Sequence, residues 1–300
     1  MGRSSLVSYL RTTTVGRLTP HMARVTFTGE GLDDFRTWPD QQLKLCFPRP
    51  GQTRPRLPEA DADDVMGWYR AYLAIPEAER PWMRSYTVRA YDPEQHTITV
   101  DFVLHPDAGP ATRWARAARP GDVLGRYGPS ADYARPLGDA DVYLLAGDES
   151  ALPAIGSILE SLPAEARAIA YVEVRDAAEE QRFAARADVT VHWLHRGEVP
   201  PGHADLLLDA VRAAELPAGT VRAWLAGEAA TVRALRRHLV GERGLAKRSI
   251  EFAGYWRRAL TQDDAPTEDD RAEARERMAE AGAVAGTEPK TETGFGAYES

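Results

Sequence analysis

Residues 142–162 read VYLLAGDESALPAIGSILESL. Val142–Ala146 is an unbroken apolar run, the composition of a strand covered on both faces. Gly147 permits a tight turn or a close backbone approach. Asp148, Glu149 and Ser150 follow, and Leu152–Leu162 reads as a helix whose first N–H groups face an anion or an amide. The spacing is neither GxGxxG nor a Walker loop. Helix capping by Asp148 or Ser150 is the ordinary explanation of such a string taken alone. Further on, LAGEAATV at 225–232 repeats the design with Gly227 and Glu228. Strands are predicted at Ala168–Val174, Val189–Leu194, Arg222–Ala226 and Ser249–Phe252. Helices are predicted near Ala177–Ala187 and over Ala204–Ala213 and Ala229–Glu242. This alternation predicts a parallel sheet covered on both faces. Two strand ends with Ala-Gly-acid turns then point to one crevice beyond the carboxyl edge of that sheet.

Upstream the rhythm is different. Leu6–Thr14, Met22–Thr28, Leu43–Phe47, Arg84–Tyr91, Thr97–Leu104 and Asp122–Gly128 read as short strands, with turns at Leu18-Thr19-Pro20 and Asp92-Pro93. They suggest a barrel or sandwich. Residues 48–81 read as an inserted loop holding one helix, Val65–Ile75, which Arg80-Pro81 ends. In RSYTVR, 84–89, Arg84, Tyr86 and Val88 share one face, and Ser85 and Thr87 the other. A cation, a ring and hydroxyls so close suit a phosphate and a flat ligand. A barrel strand with one face in solvent gives the same letters. DFVLH at 101–105 is followed by a helix from Ala111-Thr112, and Pro110 leaves its first N–H groups available to a diphosphate.

The chain has 300 residues, 43% hydrophobic and 27% charged, enough for two ordinary domains. No apolar run approaches the ~20 residues of a membrane span, and no signal-peptide core precedes the first polar residues. Cytoplasm is the default expectation. The net charge is −8, of which the segment from Ala259 onward, with 11 acidic and 4 basic residues, carries −7. A body near neutrality argues against nucleic acid as a partner. Cys46 is the single cysteine, which excludes an internal disulfide or a Cys-ligated cluster, and its strand context predicts an inert buried thiol. His192 and His195 fall on opposite faces of a strand, so no metal site is expected. The last segment, 261–300, reads as an acidic, partly disordered tail with helical composition over Asp269–Ala283. It is a solvated appendage, or an arm docking through Met278, Phe295 or Tyr298.

Together RSYTVR, DFVLH with GPATRWA, LLAGDESALPAI, WLAGE and the closing GYWRRA resemble the siderophore-interacting proteins, within the ferredoxin-reductase-like flavoproteins. The resemblance runs in order over about residues 5–258. It implies an α+β two-domain chain: an N-terminal antiparallel Greek-key β barrel for FAD over 1–136, then an α/β parallel-sheet nicotinamide-nucleotide domain over 137–260. It implies that Arg84 pairs with the FAD diphosphate, with Ser85 on the same strand, that Tyr86 packs on the flavin or ribityl, and that Thr87 lies near flavin N5. Asp101, Val103 and His105 would line the flavin and adenine side, and Gly109, Ala111 and Thr112 would hold phosphate. Gly147, Asp148, Glu149, Ser150, Gly227 and Glu228 would form the NAD(P)H crevice. Tyr255 and Trp256, just past the last strand, would lie near the flavin or the nicotinamide. Where the family often has glycine after the histidine this chain has Pro106, and Thr112 stands where serine is common.

The implied activity is NADPH- or NADH-dependent reduction of a ferric siderophore, releasing ferrous iron for cellular iron acquisition. No protein residue beyond the flavin is needed as catalyst. An anionic chelate calls for basic residues. Lys247, Arg248 and Arg257 are candidates, with Arg243, Arg258, Arg113 and Arg116, although helix-end charges explain each of them singly. Only three lysines occur, so arginine is expected in that role. Arg175 hints at NADPH. The competing functions are a general flavin reductase serving an acceptor protein through the acidic tail, and a siderophore-binding protein without turnover. A monomer or a homodimer fits either.

Overall fold

The computed structural model describes residues 7–33, 35, 37–58, 65–105, 109–128, 137–258, 260, 267–268, 271–272 and 275. Residues Met1–Ala259 form one compact unit, and Leu260–Ser300 a second. The predicted tail helix, apart from scattered positions, and Met278, Phe295, Tyr298 and Pro106 lie outside the described residues.

Strands β1 (Val7–Thr19), β2 (Met22–Gly29), β3 (Gln42–Phe47), β4 (Trp82–Thr87), β5 (Ala90–Asp92), β6 (Thr97–Val103) and β7 (Val123–Tyr127) form one antiparallel sheet in the order β4-β3-β7-β1-β2-β6-β5. Alternation drives Leu10, Val25, Phe27, Leu45, Phe47, Ile98, Val100, Phe102 and Leu124 into a common core. β1 runs past the predicted end at Thr14, because Val15 pairs with Val25 and two register shifts absorb the extra length. The single strand predicted over Arg84–Tyr91 divides in two. The Val88 amide donates to the Gln41 carbonyl and the Arg89 amide to that of Thr99, both at 2.8 Å, so the chain crosses here from one edge of the sheet to the other. That crossing curls the sheet into a barrel-like form, which the described ladders do not close. Helix α1 (Val65–Ala74) sits in the insertion. Its Trp68 is fully buried and stacks on Tyr127 at 4.4 Å, covering Cys46, whose thiol burial pushes up to about 12. Helix α2 (Pro110–Ala117) follows β6.

The second sheet is parallel, in the order β10-β9-β8-β11-β12. Its strands are β8 (Val142–Asp148), β9 (Arg167–Val174), β10 (Asp188–His195), β11 (Val221–Glu228) and β12 (Ile250–Trp256). Helix α3 (Leu152–Ser161) covers one face through Leu152, Ile155, Ile158 and Leu159. Helices α4 (Leu206–Ala213) and α5 (Ala229–Gly241) cover the other through Leu207, Val211, Leu235 and Leu239. The helix predicted near Ala177–Ala187 is absent, and only a 3₁₀ turn, Ala177–Glu179, forms there. Its helical composition is overridden by contacts with the first sheet. Buried Glu179 accepts hydrogen bonds from the Thr19 hydroxyl and the His21 amide and pairs with His21 Nδ1 at 2.7 Å. Gln181 reaches the sulfur of Met22.

Two further clasps join the sheets. Arg89 forms a two-pronged ion pair with Glu160 of α3, both contacts 2.7 Å. The Trp224 indole of β11 donates to Asp40 at 2.8 Å, and the Asp40 amide donates to Ser157 of α3. The Arg89 side chain is 9% exposed and that of Glu160 30%. Removing one partner of such a pair leaves the other charge desolvated and unmatched. Arg89→Met is therefore expected to lower unfolding free energy by about 3 kcal/mol, read as a lower midpoint in urea denaturation.

Candidate functional site

Along β4 the pleat separates the candidates. Tyr86 turns inward, its ring 4.5 Å from Phe102 and 6.2 Å from Phe47, and burial pushes its hydroxyl pKa up. Arg84, on the same face, is close enough to oppose that shift. Ser85 turns the other way and accepts a hydrogen bond from Lys44 at 3.2 Å, so the structure does not bring it together with Arg84 and Tyr86. Burial also lowers the pKa of Lys44. Thr87 is buried at the end of the strand.

At β6, both Asp101 oxygens accept from Arg24 at 2.7 Å, leaving that carboxylate fully engaged within the barrel. The Val103 carbonyl accepts from the Thr112 hydroxyl at 3.3 Å, which fastens α2 to the strand. Gly109 caps α2 through extended backbone without a side-chain hydrogen bond, and Pro110 opens the helix. The amides of Ala111 and Thr112 thus have no acceptor within the helix. Arg116 braces the approach, donating to the His105 carbonyl at 2.8 Å. Burial lowers the His105 pKa, and Glu149, Asp148 and Arg196 of the other sheet all act on it. His105 therefore lies within electrostatic reach of the ends of the parallel strands.

On the parallel sheet, Gly147, Asp148, Glu149 and Ser150 meet Gly227 and Glu228 at neighbouring strand ends, as the crevice reading requires. A Cβ at Gly147 would stand 2.5 Å from that of Ala151 and 2.7 Å from the Ala226 carbonyl, so only glycine fits. The acids there are occupied. Asp148 accepts from Ser150, from the Glu228 amide at 2.9 Å and from the Trp256 indole at 2.8 Å. Glu149 forms a two-pronged pair with Arg196 at 2.7 and 2.9 Å. Glu228 caps α5 through the Thr231 amide. Asp148 thus binds Ser150 rather than capping α3, whose own cap residue, Ala151, has no side-chain bond. Tyr255 and Trp256 belong to β12 itself, since β12 pairs with β11 as far as Trp256, and not to the segment beyond it. The Tyr255 hydroxyl is buried and faces Thr87 and Gln42 of the barrel, and burial raises its pKa against the pull of those two side chains.

The basic candidates separate. Lys247 and Arg248 lie in a 3₁₀ turn that leads into Ile250, at the amino end of β12 and hence at the opposite edge of the parallel sheet from the crevice. Arg243 donates to the carbonyl of Ala214 beyond α4. Arg257 directly follows Trp256, at the carboxyl end of β12. Arg175 pairs with Glu198 at 2.7 Å. His192 stacks on Tyr171 and His195 pairs with Glu180, in keeping with opposite faces. Sequence reasoning missed Gln42, Arg196 and Glu173. Glu173 is 3% exposed beside Asp148 in the ladder. Burial, with Asp148 and Glu149, pushes its carboxyl up to about 7 against the pull of Arg196. A charged letter inside the apolar run AIAYVEV was its available signal.

The model of the siderophore-interacting FAD-binding domain matches residues 11–133, and that of the siderophore-interacting protein matches 140–259. A siderophore utilization protein from T. fusca, solved as a crystal structure, is 40% identical, covering 86% of this chain and 95% of its own, with a TM-score of 0.76. The ferric vibriobactin reductase ViuB of Vibrio cholerae is 33% identical over 81% of this chain and 86% of its own. The NADPH-dependent ferric-chelate reductase of Escherichia coli is 32% identical over 81% and 89%.

Glu173 makes a pH prediction. Its folded pKa of about 7 lies above the ordinary 4.5, so its protonated form is favoured by folding. The associated stability is full below pH 4.5 and is lost as pH rises through 7. Glu173→Gln, which cannot ionise, is expected to match wild type near pH 5 and to exceed it near pH 8, by on the order of 2 kcal/mol. Thermal unfolding of both proteins across that range measures the difference.

Proposed function

Because this chain belongs to the siderophore-interacting protein family, we propose that its crevice carries electrons from NADH or NADPH, through FAD, to the iron of a ferric siderophore. The protein is an FAD-containing ferric-siderophore reductase. Bound FAD accepts hydride and gives up single electrons, a conversion that no side chain here can perform. Ferrous iron is held less tightly than ferric iron by hard oxygen donors, so reduction releases it for cellular use.

The residues present fit that cofactor. The uncapped start of α2, with Gly109 and the amides of Ala111 and Thr112, suits a diphosphate, and nothing lies within 4 Å of a Cβ built on Gly109. Arg84 and Tyr86 approach from β4, and His105 from the end of β6. Ser85, Asp101 and Val103 support the strands and do not serve as direct ligands in this reading. The observation that carries the proposal is the meeting of Thr87 with Tyr255: a barrel threonine and an α/β tyrosine whose buried hydroxyl lies against it. A flavin edge and a nicotinamide can come together only where the two sheets do. Gly147 and Gly227 let the nucleotide backbone approach. For the chelate, Arg257 with Arg113 and Arg116 replaces Lys247 and Arg248. The domain limits 1–136 and 137–260 follow from the same assignment. The working compartment is the cytoplasm, where NADH and NADPH are regenerated, and the working state is a monomer or a homodimer.

Purified protein is expected to be yellow, to bleach anaerobically with NADH or NADPH, and to recover colour on adding a ferric hydroxamate or catecholate while a ferrous trap colours. Protein that takes up no FAD, or that bleaches without ferrous release, overturns the reading. Arg84→Ala is expected to weaken FAD binding by about tenfold or more, measured by quenching of flavin fluorescence on titration.

A further inference from the structure

β11 and β12 pair residue for residue from Ala223–Ile250 to Gly227–Gly254, and Glu228 then faces Trp256. Tyr255 is therefore the extra residue of a bulge. Bulges re-aim side chains and persist where neighbouring groups hold them. The holder here is the Asp148 carboxylate. One oxygen, Oδ2, accepts from the Glu228 amide at 2.9 Å and the Trp256 indole at 2.8 Å, the two residues that face each other just beyond the bulge. The other, Oδ1, accepts from the amide and hydroxyl of Ser150. With four donors at 6% exposure, the group is fixed from both sides.

The neighbouring glycines are shaped to it. Gly227 has φ +134°, and a Cβ there would lie 2.6 Å from Asp148 Oδ2. A Cβ on Gly254 would lie 2.9 Å from that of Ala229. One carboxylate thus ties the ends of β8, β11 and β12 together. The bulge it pins carries Tyr255, whose ring stands edge-on to Trp224 at 6.3 Å and whose hydroxyl reaches Thr87 and Gln42. We propose that Asp148 is a positioning residue for electron entry: through Trp256 it sets the bulge that holds Tyr255 against Thr87, instead of binding the nucleotide. The proposal rests on the reading of the crevice given above.

Asp148→Asn leaves one acceptor oxygen where donors approach from both sides, and Trp256→Phe removes the indole N–H. Flavin-loaded wild-type and variant proteins are mixed with saturating and subsaturating NADH and NADPH in a stopped-flow instrument. Each variant is expected to slow the limiting rate of flavin bleaching by about tenfold, with less than about a twofold change in the half-saturating nucleotide concentration. The double variant is expected to be no slower than Asp148→Asn alone. Without nucleotide, hydrogen exchange over 250–256 should accelerate in both single variants. A shift in half-saturation at unchanged limiting rate, multiplicative effects in the double variant, or wild-type bleaching by Trp256→Phe overturns the proposal. Wild-type protein that holds FAD but bleaches with neither nucleotide overturns the crevice reading, and the proposal with it.

Discussion

A carboxylate taken out of water needs donors, and Glu179 finds them only on the other sheet. At 4% exposure it depends on the Thr19 hydroxyl and on the amide and ring of His21, in the turn between β1 and β2. Glu160 draws its cationic partner, Arg89, from the other side of the contact, beside the Ala184 amide on its own. Hydrogen bonds to charged groups are directional, and leaving one unmade costs more than making it gains. These clasps therefore fix the angle between the sheets more than they add to its strength. The apolar share of the contact is real, since Met22 of β2 packs into the core beneath α3. Apolar packing alone would tolerate sliding, however. The polar pairs remove that freedom, and the facing of Tyr255 on Thr87 depends on its removal.

The same logic governs the strand ends. Asp148, Glu149 and Glu228 sit at the strand ends where a ligand would be expected, yet each is matched to a protein donor. Glu173 differs, being buried among those acids and held near neutrality by them. A protonated carboxyl limits the negative charge that the crevice presents to an incoming diphosphate. Arginine supplies the positive charge elsewhere, as a chain with three lysines must.

Much of this was legible in the letters. VYLLAGDESALPAI announced a buried strand, a turn and a helix, and the parallel sheet followed from its repetition. RSYTVR and GPATRWA located the barrel side. The segment 177–187 misled because its helical composition is a local property, whereas the fate of Glu179 is decided by a turn some 160 residues away. The barrel strand 84–91 misled because a crossing between sheet edges leaves β-forming residues on both sides of the switch. Lys247 and Arg248 read as candidates for an anionic chelate because of their charge alone. A seven-residue parallel strand puts them at the opposite edge. Glu173, Arg196 and Gln42 had no motif to announce them, since their roles arise from register between elements.

The segment 40–42 shows how closely docking and chemistry are joined. Asp40, at φ 59°, spends backbone strain to receive the Trp224 indole, and Gln42 two residues later faces Tyr255. Trp224 in turn packs edge-on against Tyr255. One short stretch of barrel therefore seats both the clasp and the aromatic pair beside Thr87. Strain in a non-glycine residue persists only where its surroundings over-determine it. Here the surroundings belong to both sheets, so the strained turn is itself a product of their docking. The strained turn, the clasp and the aromatic pair beside Thr87 are thus complete only when the two sheets have met at a fixed angle.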